Sequence, residues 1–335
     1  MADKNTISVV MCTCNGKSRH LAEQIESIFA QTLRPMEIVV QDDCSTDGTL
    51  ELLKAYAKKA PKGMAFHIYS NDTRLGINGN FFSAIAKAGG GGGGGYIAIC
   101  DQDDLWMPTK LERQMLNIGK NMMCVCRSVP FTDGGGDMPY DHRRPNCNLI
   151  RLFYASMAGH CQLFNRQLME HVPTCEQCPD IYSQTLYDVI LATAAAALDS
   201  ITLIDEVLVR QRRYAEAATF VESDSLRKRK AGNALGMIKY GLCNYLRIKP
   251  LMTRHFSVRL DFLQHIKADN DIYRDGLRLL RHESSRGVGA VFGLLRMYVK
   301  YRHTLFYTYE KDPIAFVRAL LHPLMQVYVY RYLAF

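Results

Sequence analysis

The feature that most constrains the fold is a repeated pairing of short apolar runs with helical patterns in the first hundred residues. Ile7-Ser-Val-Val-Met11 and Met36–Val40 each read as a buried strand, and Phe66–Tyr69 and Tyr96–Cys100 as a third and a fourth strand. Between the first two, Leu21, Ile25, Ile28 and Phe29 recur at helical spacing, with polar residues in between. The turn Asp42–Gly48 leads into a second helix over roughly Thr49–Lys59, and its Ser and Asp side chains are expected to cap that helix. A third helix is expected to start near Asn80. The order β-α-β-α-β-α-β with short connections is that of a parallel sheet covered on both faces. From about 110 to 150 the pattern is less regular, and two low-complexity runs, Gly89–Gly95 and Ala194–Ala197, have no obvious physical role in the sequence.

The carboxylates of this half cluster where such a sheet binds ligands, beyond the carboxyl ends of its strands. Asp42 and Asp43 follow the second strand; Asp101, Asp103 and Asp104 follow the fourth. Five carboxylates on one rim repel one another unless a cation or a set of donors is present, so the pattern asks for a divalent metal. Mg²⁺ or Mn²⁺ with one or two carboxylates, phosphate oxygens and water would suit it. A single aspartate there would read as a solvated or helix-capping residue.

Charge divides the chain in the same way. Of 41 Lys plus Arg and 33 Asp plus Glu, residues 1–209 hold 18 and 23, net −5, whereas residues 210–335 hold 23 and 10, net +13. With 48% hydrophobic residues, the chain is neither a disordered tail, a collagen-like repeat nor a small disulfide scaffold. Eleven cysteines behind a polar Met1–Ser8, with no signal-peptide pattern, point to a reducing cytosol. Cys12-x-Cys14 and Cys175-x-x-Cys178 have metal-like local spacing. The second pair is half of a zinc site without a second half at matching spacing, so both read as buried or idle thiols.

Four stretches together resemble the GT-A glycosyltransferases of family 2, and within them the bacterial rhamnosyltransferase-like group. They are Ile7–Gly16, Gln41–Gly48, Asn71–Gly76 with Asn80-Phe81, and Asp101-Gln-Asp-Asp-Leu-Trp106; a fainter match runs through Ala158–Phe164 and Tyr187-Asp188 to about Tyr214. The resemblance implies a GT-A, Rossmann-like α/β fold: a mostly parallel sheet with helices on both faces over residues 1–215, followed by a helical region over 216–335. It implies a dTDP- or UDP-linked sugar donor and Mg²⁺ or Mn²⁺. Asp43 would meet the nucleotide base with Asp42 beside it, and Thr13 and Asn15 would lie on the same donor site. Asp101 and Asp103 would form the D-x-D pair that meets metal and sugar-nucleotide, Asp104 sharing the task. Asn80 and Arg74 belong to the loop before that strand, with Arg74 near phosphate or sugar. Asp188, expected at the start of a helix, would be the base for an inverting transfer. Asp188 as a plain helix N-cap and Arg74 as a solvated arginine are the ordinary alternatives.

The chain departs from relatives at Cys14, where many have Tyr, at Tyr187-Asp-Val-Ile, and at Gln211-Arg-Arg-Tyr214. Arg212 or Arg213 would then supply positive charge in place of a histidine at 214. His160 reads as lining the acceptor site or as a satisfied, partly buried histidine.

Residues 216–335 read as helical. No run there reaches the roughly 18–20 uninterrupted apolar residues of a membrane span. Basic residues interleaved with Tyr, Phe and Leu suit an anionic membrane surface. Nucleic acid ranks lower, and a solvated helical bundle is the plain alternative. The composite expectation is an inverting, metal-dependent glycosyltransferase of cell-surface polysaccharide assembly, cytoplasmic and peripheral at the inner face of the membrane, acting on a glycan or lipid-linked acceptor. A nucleotidyltransferase, or a non-catalytic module with a remnant pocket, stays open.

Overall fold

The structure is a computed structural model that describes residues 6–17, 20–89, 95–133, 137–138, 140, 146–213, 234–306 and 311–334. The first half alternates β1 (Ile7–Thr13), α1 (Leu21–Phe29), β2 (Glu37–Asp42), α2 (Thr49–Ala57), β3 (Ala65–Ser70), α3 (Gly76–Lys87) and β4 (Tyr96–Cys100). β5 (Leu105–Trp106), α4 (Lys110–Ile118) and β6 (Met123–Phe131) follow, so the stretch after 110 is more regular than its sequence pattern suggests. Next come α5 (Leu149–Leu152), a 3₁₀ turn at Gly159–Cys161, β7 (Gln162–Asn165), α6 (Pro179–Gln184), α7 (Tyr187–Ala197) and β8 (Ile201–Arg212). The eight strands form one sheet in the order β3-β2-β1-β4-β7-β6-β8-β5. β3, β2, β1 and β4 are mutually parallel, whereas β7 runs antiparallel to both β4 and β6.

Burial explains which strands were easy to read. Every residue of β2 is buried, as expected of an Ile-Val-Val run covered on both faces. β3, at the sheet edge, has no fully buried residue. The alanine run also finds a reason here. All of Ala192–Ala197 lies within a helix buried on nearly every side, and small side chains let α7 approach its neighbours closely. Gly89 and Gly95, the ends of the glycine run, take positive φ of 84° and 118°, which favours glycine. Gly90–Gly94 lie outside the described residues.

α2 starts at Thr49 as expected, and an aspartate of the turn caps it: Asp47 accepts from Thr49 N at 3.1 Å, while Gly48 (φ 86°), the N-cap residue itself, offers no side chain. The start of the next helix differs from expectation. α3 starts one turn before Asn80, because the Asp43 carboxylate accepts the main-chain N–H groups of Leu75 (2.7 Å) and Gly76 (3.0 Å) at its beginning.

The C-terminal helices are α8 (Ala234–His265), α9 (Asp271–Glu283), α10 (Val288–Lys300), α11 (Arg302–Leu305) and α12 (Asp312–Val329). They pack on the sheet-bearing body. Arg259 donates to Phe153 O (3.0 Å), Asn270 to Ala197 O (2.8 Å) and Arg151 to Leu305 O (2.8 Å). Buried Glu283 accepts from Lys249 (2.8 Å), Tyr154 (2.8 Å) and Tyr298. The expected boundary at 215/216 falls outside the described residues. No helix among the described residues is long and apolar enough to cross a membrane.

Candidate active site

The carboxyl ends of β1, β2 and β4 bring most of the expected residues to one rim, but the structure divides their work. Asp42 is fully buried and accepts from Thr13 Oγ1 (2.7 Å), Ser45 Oγ (2.5 Å) and Ser45 N (2.9 Å), so its carboxylate ties β1 to the turn after β2. Asn15 continues that clip: its N–H donates to Ser45 Oγ (2.8 Å) and its Oδ1 accepts from Thr46 N (2.9 Å). Asp43 also accepts from Asn71 Nδ2 (2.8 Å), besides its two bonds to α3. Asn80 is a buried residue of α3, not of the loop. It donates to Gln41 O (2.9 Å) and accepts from Asn71 (2.8 Å), which fixes the side chain that in turn meets Asp43. Arg74 is exposed and makes no ion pair with the described residues.

The fourth strand delivers a different arrangement. Asp101, Asp104 and His160 come together, their ligand atoms all within 4.8 Å of one another. His160 Nδ1 lies 3.1 Å from both Asp101 Oδ2 and Asp104 Oδ2, while its Nε2 meets Ser128 Oγ at 3.1 Å. One ring N–H cannot serve two carboxylates. It bonds Asp101, and Asp104 Oδ2 is left buried without a hydrogen bond. Asp104 Oδ1 accepts from Arg212 N at 3.0 Å. Asp101, 37% exposed, is the member that solvent reaches; Asp104, at 3%, is sealed behind it.

The electrostatics follow from this crowding. Burial raises the Asp104 carboxyl, helped by the charges of Asp101 and Asp103, although His160 opposes it. For His160, burial works downward, but the charge of Asp104 and the bond and charge of Asp101 outweigh it and raise its pKa. An acceptor oxygen with no donor, two carboxylates and one imidazole fit a divalent cation, and an imidazole beside carboxylates suits Mn²⁺. Asp103 is not in this trio. Its main-chain oxygen accepts from Arg212 Nε at 3.1 Å.

Sequence reasoning did not find what holds the loop in place. Gln102, between the two aspartates, accepts from Cys14 N (3.0 Å) and donates to Cys14 O (3.4 Å), fastening the loop to the end of β1. Arg212, at the end of β8, is buried. Its guanidinium pairs with Glu23 (2.6 Å) and with Asp133. Its charge is therefore committed to protein carboxylates, and it acts on the aspartate loop by holding main chain. His20 joins the same network through Glu23 and Asp133, both at 2.9 Å.

Asp188 lies in the first turn of α7, one residue inside its start, where its Oδ1 accepts from its neighbour Val189 N at 2.9 Å. Burial pushes its carboxyl up to about 6; the main-chain N–H groups of Val189 and Gly159 and the charge of His160 pull the other way, and Asp101 adds to the rise. Tyr187, stacked on Phe81 with centroids 3.8 Å apart, fixes the entry to α7. A Cβ on Gly159 would stand 2.2 Å from the Tyr187 hydroxyl, so only glycine fits beneath that ring.

A mixed sheet whose β3-β2-β1-β4 half is parallel, with a carboxylate cluster after its fourth strand and a helical region behind it, is the GT-A class of fold. The match to the model of glycosyl transferase family 2, over residues 8–191, covers more than half of the chain, and the chain belongs to that family. The protein is similar to putative glycosyltransferase EpsE of Bacillus subtilis, 36% identical over 34% of this chain and 39% of that one. It is also similar to putative teichuronic acid biosynthesis glycosyltransferase TuaG of the same organism, 31% identical over 33% of this chain and 41% of that one. The chain thus spans about two-fifths of the length of these relatives. In fold it is similar to S. aureus TarS 1–349 in complex with UDP-GlcNAc, with a TM-score of 0.56 at 15% identity over 98% of this chain and 92% of that one. GalNAc-T7 with UDP, GalNAc and Mn²⁺ is a second fold neighbour, at TM-score 0.50 and 16% identity over 64% of this chain and 45% of that one.

Proposed function

We propose that the protein is an inverting, metal-dependent glycosyltransferase that moves one sugar from a nucleoside-diphosphate donor to a hydroxyl of a glycan or lipid-linked acceptor in cell-surface polysaccharide assembly. One observation carries this reading: Asp104 Oδ2, buried beside Asp101 and His160 with no hydrogen-bond donor, at the strand ends where open α/β sheets bind ligands. Asp101, Asp104 and His160 would hold a divalent cation, with Asp103 beside them completing the D-x-D pair. Bound there, the cation would neutralise charge on the departing diphosphate.

The chain's own groups do the rest in this account. Asp43 meets the nucleotide base, and Thr13, Asn15, Asp42 and Asn80 support it by fixing the loops around it. Arg74, exposed and without an ion pair among described residues, is assigned to phosphate or sugar. Asp188 takes the proton of the acceptor hydroxyl as that oxygen attacks, which requires the ionised carboxylate and hence a pH above about 6. Gly159 and Tyr187 keep that carboxylate in place.

The complexes of TarS with UDP-GlcNAc and of GalNAc-T7 with UDP favour a UDP-linked hexose; dTDP-rhamnose, from the sub-group resemblance, is the second donor to try. The name of TuaG supports a surface polysaccharide. In this proposal residues 1–215 carry the chemistry and residues 216–335 touch an anionic membrane at its inner, cytoplasmic face. Leu242 and Leu246 on α8, Val288 and Phe292 on α10 and Ile314 and Val317 on α12 are exposed, on a region of net positive charge.

The test is turnover of UDP- and dTDP-sugars with Mn²⁺ or Mg²⁺ and candidate acceptors. The proposal expects release of nucleoside diphosphate that depends on metal and acceptor. Release of pyrophosphate, or a full donor panel neither bound nor turned over by wild type, would refute it.

A further inference from the structure

Away from the aspartate rim, the fold supplies what the Cys175-x-x-Cys178 pair lacks in the sequence. Cys178 caps the start of α6, and the last turns of α8 bring Asp261 and His265 onto it. Spaced i and i+4, those two side chains share one helix face. Cys178 Sγ lies 3.3 Å from His265 Nδ1, and Asp261 Oδ1 lies 3.9 Å from the same nitrogen. All three ligand atoms fall within 4.8 Å of one another.

We propose that Cys178, His265 and Asp261 bind a zinc ion, with Cys175 as fourth ligand, and that this ion staples the segment leading into α7 to the C-terminal helical region.

The distances suit the metal. Zn–S of about 2.3 Å and Zn–N of about 2.0–2.1 Å at a tetrahedral angle put sulfur and nitrogen about 3.5 Å apart, and an imidazole nitrogen and carboxylate oxygen about 3.3 Å apart. The observed 3.3 Å already matches the first, and the 3.9 Å needs only a small shift of an exposed aspartate. His265 Nδ1 now also meets the main-chain oxygen of Asp261 at 2.9 Å. Metal binding would exchange that contact for a coordinate bond, with the neutral ring carrying its proton on Nε2 and the thiol proton released to solvent.

The ligand chemistry selects the ion. A thiolate and an imidazole are poor ligands for Mg²⁺ or Ca²⁺ and good ones for Zn²⁺. Access is from the surface. Cys178 is 1% exposed and forms the floor, whereas Asp261 and His265 are 57% and 40% exposed at the mouth. Cys175, exposed, stands on the tight turn that Cys178 N closes on Thr174 O at 3.0 Å, three residues before Cys178, which makes it the candidate for the fourth position. The staple would join two regions far apart in sequence, and one of them runs directly into the helix that carries Asp188.

The full chain, stripped with a chelator under reducing conditions, is titrated with Co²⁺ as a spectroscopic stand-in and then with Zn²⁺. The proposal expects one equivalent of Co²⁺ with a thiolate charge-transfer band and tetrahedral d–d bands, both erased by one equivalent of Zn²⁺. Cys178→Ser and His265→Ala should each abolish the band, while Cys243→Ser, an exposed cysteine on α8, and Asp104→Asn, at the acidic rim, should keep it. His265 is exposed, so its variant is expected to fold, with circular dichroism as the check. Absence of a thiolate band in folded wild type, or a band that survives His265→Ala, would overturn the site.

Discussion

Two buried carboxylates, Glu283 in the C-terminal helices and Asp104 at the sheet rim, are equally hidden from water and differently served. Glu283 has a lysine and two tyrosine hydroxyls around it, with Tyr154 and Tyr298 also 3.0 Å from each other. Asp104 has one main-chain N–H on one oxygen and none on the other. A carboxylate whose partners are all internal holds the fold together; one left short of donors beside a second carboxylate and an imidazole stands ready for something that the chain does not supply. Burial alone does not tell these two acids apart, whereas the donor count does.

That contrast can be broken by substitution. The largest expected effect lies on the facing helix: Asp188→Asn should lower turnover about 10²–10⁴-fold with near-normal donor binding, measured by steady-state release of nucleoside diphosphate and by donor titration. Retained turnover would remove Asp188 as base. Next, Glu283→Ala should cost about 3–5 kcal/mol of stability in denaturant unfolding, because it strands Lys249 and two hydroxyls, and should leave Mn²⁺ affinity alone. Asp104→Asn should do the reverse, since it removes a buried charge that nothing in the chain pairs fully. If both variants lose stability alike, the distinction between the two sites fails.

Smaller effects sharpen the picture. Below pH about 6, kcat should fall about tenfold per unit as the raised Asp188 carboxyl takes up its proton, and above it the rate should level off. A profile with no acidic limb near 6 would contradict the assignment. Arg212→Ala should weaken metal affinity about 10–100-fold without removing any ligand, because it frees the main-chain oxygen of Asp103; Arg212→Lys should not restore it, since lysine cannot span Glu23, Asp133 and the loop together.

The same comparison shows what the sequence could reveal. β1, β2 and β4 are readable because strands buried on both faces must be continuous apolar runs, as Ile38-Val39-Val40 is. The start of α3 was not, since the group that caps it, Asp43, lies 32 residues before Leu75. The aspartates after β4 were legible as a metal-seeking cluster. His160 was not legible as their partner, because a single histidine before a four-residue strand carries no local signal. Arg212 reads locally as a spare cation, yet its partner Glu23 stands 189 residues away, and only the assembled sheet shows that its charge is already used. The alanine run, opaque as sequence, is a packing requirement of α7.

The most direct test of the central claim is Mn²⁺ binding, followed by electron paramagnetic resonance in the presence of UDP, for wild type, Asp101→Asn, Asp104→Asn and His160→Ala. One Mn²⁺ per chain in wild type, with affinity lost in all three variants and kept in Glu283→Ala, is the predicted result. Equal Mn²⁺ affinity in wild type and Asp104→Asn would contradict it.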